Sequence, residues 1–165
     1  MSIAETLLPE LDHEMQVTRT LLERVPESDP EWKPHPKSMP LGRLATHIAE
    51  LLGWVDVTLQ ETELDFSKGG YKPTSFTTTA DLLALFDAKL KSARAVLAAT
   101  PDEAMMVPWT LRNGEHVIFT QPRIGVLRAF VLSHMIHHRG QLSVYLRLND
   151  VPLPSIYGPT ADSPM

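Results

Sequence analysis

Four separate runs of this chain repeat apolar residues at three- and four-residue spacing, and that period limits what it can fold into. Leu7, Leu8, Leu11, Met15, Thr18, Leu21, Leu22 and Val25 trace the first stripe, and Leu44, His47, Ile48, Leu51 and Val55 the second. Leu82, Leu83, Leu85, Phe86, Leu90, Ala93, Val96 and Leu97 trace the third, and Ile124 to Leu148 holds the fourth. Each stripe is one face of an amphipathic helix, stable only when packed on another such face. The spacing predicts one all-α domain over residues 1–165, a four-helix bundle long enough for a full core.

Between the stripes the chain is punctuated. Ser2 with Glu5, and Thr78 with Asp81, have the spacing of a capping box. Pro26 ends the first helix, and Thr100-Pro101 closes the third. Pro30, Pro34, Pro36 and Pro40 make an extended connection in which Trp32 reads as an anchor packed on the bundle. Ser38 is placed to cap the second helix, with Pro40 in its first turn. Asp65 to Thr79, with Gly69-Gly70 and Pro73, reads as a loop. Met105 to Thr120 changes period: alternating residues flank Asn113-Gly114, the signal of a β-hairpin that would cap one bundle end. Thr120 then caps the fourth helix, with Pro122 in its first turn, and an extended tail follows Asn149-Asp150.

Composition removes several function classes. Net charge is -5 with no basic cluster, which argues against a nucleic-acid surface. There is no cysteine, so disulfides, zinc-thiolate sites and a cysteine nucleophile are excluded. No apolar run is long enough for a membrane span, and acidic Met1 to Glu5 is unlike a signal peptide. A cytoplasmic protein acting on a small molecule is the expectation.

The histidines carry the chemistry. His134 and His138 lie four apart, so they share one helix face and can close on one transition-metal ion. The same spacing also suits two histidines at a core edge. Their stripe is Leu127, Phe130, Val131, His134, His138, Leu142 and Tyr145, and an imidazole facing a core needs a partner. His47 stands alone among apolar neighbours and reads, by itself, as a hydrogen-bonded core residue. Glu50, three residues on, either orients an imidazole or faces solvent. His13, His35 and His116 read as exposed, and His137 points about 100° away from His138.

Trp32-Lys33-Pro34 with Ser38, then Leu44-x-x-His47, then His134-x-x-x-His138-Arg139-Gly140-Gln141-Leu142 occur in order, followed by Val151-Pro152 and Ile156-Tyr157-Gly158. In that order and spacing the chain resembles the DinB/YfiT-like superfamily of damage-inducible bundle proteins, unrelated to the DNA polymerase of similar name. The resemblance implies an up-down-down-up bundle, frequently a homodimer. It also implies a divalent metal, nickel or zinc, held by His47, His134 and His138. Relatives include transferases and isomerases that use a low-molecular-weight thiol, and others described as metal-dependent hydrolases.

Three functions follow from this reading. One is metal-assisted transfer of a low-molecular-weight thiol to a small electrophile, with Trp54, Trp109 and Tyr157 available as pocket walls or as core. Another is hydrolysis, although Met135 follows His134 where a zinc protease carries glutamate, leaving Glu50 to substitute. The last is a metal-binding or small-molecule-binding module without catalysis.

Overall fold

Both capping boxes form: Ser2 and Glu5 exchange side-chain-to-amide bonds at one helix start, and Thr78 and Asp81 do so at another. The structure is a computed structural model describing residues 1–69 and 72–164; Gly70 of the expected loop lies outside them. In chain order it contains α1 (Ile3–Leu22), α2 (Leu41–Glu50), α3 (Gly53–Gln60), β1 (Glu63–Asp65), α4 (Thr79–Ala99), α5 (Asp102–Met105), β2 (Pro108–Asn113), β3 (His116–Pro122), α6 (Arg123–Val126) and α7 (His134–Leu148). A π-type stretch, Leu127–Ser133, joins α6 to α7. The fold is mostly helical, and its small sheet has three strands rather than the two of the expected hairpin.

Five helices pack together, with α1 against α4 and α7, α2 against α4 and α7, and α3 against α4. Met15, Leu21, Leu44, Ile48, Phe86, Met135 and Leu142 lie in the shared core, each no more than 1% exposed. Truncating one such leucine to alanine costs about 2–5 kcal/mol. Trp32 is the anchor its place among the prolines predicts, packing edge-on against Tyr145 at 5.6 Å between ring centroids.

The second helix departs from expectation in two places. It breaks at Leu51 and Leu52, where the Trp54 and Val55 amides turn back three residues to the Leu51 and Leu52 carbonyls. Ser38 does not cap it. The helix follows Pro40, and the amides of Leu41 and Gly42 donate instead to the carbonyls of Trp32 and Pro30, both at 2.8 Å. The proline-rich connection is therefore itself the cap. Gly42 permits that approach, since a Cβ there would lie 2.8 Å from the Pro30 Cβ.

The fourth helix differs more. Thr120 belongs to β3 and shares a hydrogen bond with Thr110 across the sheet at 2.9 Å, so it caps nothing. From Val126 to Leu132 the buried residues recur five apart, as Val126 with Val131 and Leu127 with Leu132, which is the repeat of a π winding. From Met135 the three-to-four repeat resumes through Arg139, Leu142 and Leu146. The extra residue turns the buried stripe by one position. His134, His138 and Tyr145 consequently flank the stripe half-buried instead of occupying its centre.

Arg139 is 1% exposed in that stripe. It pairs with Glu14 of α1 at 2.7 Å, donates to the Thr18 hydroxyl at 3.2 Å and receives the tail through the Tyr157 hydroxyl at 2.5 Å. Tyr157 in turn donates to Glu14 at 2.7 Å. A charge buried this far is tolerable only when fully partnered.

Asn113-Gly114 makes the expected turn, with Gly114 at φ 61. The strand unforeseen in the sequence is β1, parallel to β2 and ending at Asp65, the first residue of the expected loop. Asp65 fixes it, accepting from the Gly114 amide at 2.9 Å and from the Ser67 amide and hydroxyl at 3.0 and 2.7 Å.

Candidate metal centre

The phase change in the fourth helix turns His134 and His138 toward α2. His47, on the second turn of α2, faces both across the helix interface, with ring centroids 5.2 and 4.7 Å away. The His134 and His138 rings are 4.6 Å apart. One ligand atom from each of the three histidines lies within 4.8 Å of the others, so the set could hold a metal ion. Each ring is half-buried, which shields the nitrogens while leaving a way in.

Hydrogen bonding fixes how the rings present their nitrogens. His138 Nδ1 lies 2.7 Å from Gln141 Oε1, an acceptor, so Nδ1 carries the proton and Nε2 the lone pair. His134 Nδ1 is buried. The two Nε2 atoms lie 2.8 Å apart, at hydrogen-bond distance, with His138 Nε2 as the acceptor. Two nitrogens bound to one ion at 2.0–2.1 Å lie about 3 Å apart, so the donor set fits a divalent transition metal.

Electrostatics act in the same direction. His47 is pushed down to about 4, mainly by burial, then by the adjacent His138, His134 and Arg43, with Glu50 opposing. Burial also lowers His134 and His138. All three are therefore neutral at physiological pH, the form that binds metal.

His13, His35, His116 and His137 are exposed, as the sequence predicts for each of the first three, and none joins the cluster. Glu50 bonds to Arg43 at 3.0 Å and accepts from the Thr74 amide at 2.6 Å, tying the loop before α4 to α2. Trp109 is fully buried core, and Tyr157 is held by Arg139 and Glu14. Trp54 is half-buried and stacks on Phe130. Sequence reasoning gave no role to Gln141, although its place three residues after His138 is the helical signal for a partner.

Residues 10–142 match the sequence model of the DinB superfamily, a span that includes all three histidines. The chain belongs to the DinB superfamily. Among its relatives, the uncharacterized protein YrdA of Bacillus subtilis (strain 168) is 27% identical over 158 residues, covering 92% of this chain and 86% of that one. The crystal structure of YjoA, a DinB-like protein from Bacillus subtilis, superposes with a TM-score of 0.69 at 20% identity, covering 88% of this chain and 92% of that one. A DinB-like protein from Bacillus cereus ATCC 10987 gives 0.70 at 19% identity, covering 94% and 98%. At these identities the two structures establish that the DinB fold is shared.

Proposed function

We propose that this DinB-superfamily chain is a metal-dependent enzyme in which His47, His134 and His138 bind one divalent ion, nickel or zinc. Its reaction is transfer of a low-molecular-weight thiol to a small electrophile. The observation that carries the reading is the convergence of three half-buried imidazoles, one ligand atom of each lying within 4.8 Å of the others. Burial lowers all three, so each stays neutral and able to bind an ion. Three imidazoles leave coordination positions open, as catalytic rather than structural sites do. An ion held there makes a coordinating thiol a thiolate at neutral pH.

The chain supplies the remainder. Gln141 holds the His138 tautomer, and burial keeps the imidazoles neutral. With no cysteine in the sequence, the thiol enters as cosubstrate. Its proton leaves to solvent, its sulfur supplies the electron pair of the new sulfur–carbon bond, and the leaving group departs with its own pair. Hydrolysis is the second reading, but it needs a general base. Among the described residues no carboxylate joins the histidine cluster, and Glu50 is engaged with Arg43 and Thr74. The same reading takes the helices as an up-down-down-up bundle working as a cytoplasmic homodimer.

Metal analysis of protein purified without a nickel column tests the ligands. One ion per chain is the expected result, lost in His47→Ala and kept in His137→Ala. Cobalt-loaded protein titrated with glutathione, bacillithiol and mycothiol then tests the chemistry, through a sulfur-to-metal charge-transfer band. Hydrolysis of an activated ester with no thiol and no such band would transfer the assignment to the hydrolase. Neither response would leave a metal-binding module.

A further inference from the structure

Moving from the histidines toward the sheet, the segments that adjoin their helices, α3 and the π-type stretch, carry larger aromatic rings. Phe130 lies one turn before His134 and meets its ring edge-on at 6.4 Å. Trp54 lies two turns beyond His47 and stacks on Phe130, with centroids 5.8 Å apart and planes at 22°. Phe119 of β3 closes on Phe130 at 4.7 Å, and Phe66, 43% exposed, meets Trp54 edge-on at 6.5 Å. The rings form a continuous strip from solvent to a candidate metal ligand.

This strip is not finished core. Trp54, Phe119 and Phe130 remain half-buried, unlike Trp109 behind them at 0%. Trp109, which packs against Trp54 and Phe119, has its Nε1 buried with no hydrogen-bond partner. A surface of stacked faces and edges selects planar apolar groups, because ring pairs gain about 0.5–1.5 kcal/mol beyond their buried area. We propose that the strip Phe66–Trp54–Phe130 binds the planar, apolar part of the substrate and sets its reacting end beside His134. The substrate class is therefore a small aromatic or flat unsaturated electrophile rather than a wholly polar one. This inference rests on the three-histidine metal site proposed above.

Two hydroxamates separate the inference from that reading. Both chelate an accessible metal, but benzohydroxamate carries a flat ring and acetohydroxamate only a methyl group. Titrated calorimetrically into zinc-loaded protein, benzohydroxamate is expected to bind at least about tenfold tighter, a ratio worth roughly 1.4 kcal/mol. Trp54→Leu is expected to abolish the ratio while retaining zinc and acetohydroxamate affinity, and Trp54→Phe to preserve it. Should Trp54→Leu fail to fold, Phe66→Ser, which alters an exposed ring, carries the test and is expected to reduce the ratio. Equal binding of the two hydroxamates by zinc-loaded wild type, or an unchanged ratio in the folded variant, overturns the aromatic subsite and leaves the metal site standing. A wild-type protein that takes up no zinc overturns the metal reading and the subsite with it.

Discussion

At His138 a single neighbour decides which nitrogen faces His134. Gln141 accepts from Nδ1, so its removal frees the ring to change tautomer and to rotate. Gln141→Leu is expected to weaken metal affinity about 10–100-fold with little change in the stability of metal-free protein, measured by competition with a chelator and by thermal melting. Asp65 gives a second residue-scale prediction. The Gly114 amide, then Ser67, hold its carboxyl well below the usual range of 3.8, at about 2. A depressed carboxyl stabilises the fold above its unfolded value, because below that value the unfolded chain takes up the proton first. This contribution is fully present above about pH 3.8 and is lost as pH falls through about 2. Urea midpoints of wild type are expected to decline over that window with a component that Asp65→Asn lacks. The sequence displays the His134–His138 spacing directly. Spacing alone does not display His47 as their partner, which only the family resemblance indicates, because convergence across an interface depends on the phase of two helices.

That phase is set at the scale of the element. Capping boxes and the Asn-Gly turn were readable because each is a local exchange among a few residues. The π-type stretch was not. Its five-residue repeat mimics a slightly irregular α-helical stripe, and only burial shows that the winding widens. The break at Leu51–Leu52 is hidden for a similar reason, since both leucines are good helix formers buried on either winding. Deleting Ala129, an exposed residue inside the stretch, is expected to restore α winding. Residues downstream would then rotate by about 100° relative to those upstream. His134 and His138 would leave His47, and bound metal would be lost while helix content by circular dichroism stays near wild type. Retention of one ion per chain would show that the π winding does not position the site.

Across the whole molecule, first helix, last helix and tail meet at one buried ion pair. Arg139 carries its charge at 1% exposure with Glu14, Thr18 and Tyr157 as partners. Glu14→Ala strands that charge and is expected to cost about 3–5 kcal/mol in denaturant unfolding. Tyr157→Phe leaves the ion pair and is expected to cost only about 1 kcal/mol. The sequence offered no hint of this cluster, because its members come from the two ends of the chain and only one of them lies in the histidine motif.

The parallel pairing of β1 with β2 has a consequence in time. β2 and β3 are joined by a tight turn, so their hairpin closes within microseconds, as local antiparallel pairs do. β1 is separated from β2 by all of α4 and α5, and its three rungs form only after that intervening chain has docked. The sheet is thus assembled from its far edge and completed at β1. By the same asymmetry it opens there first: hydrogen exchange at the β1 rung amides is expected to outpace exchange at β2–β3, with the hairpin staying closed while the short strand comes and goes.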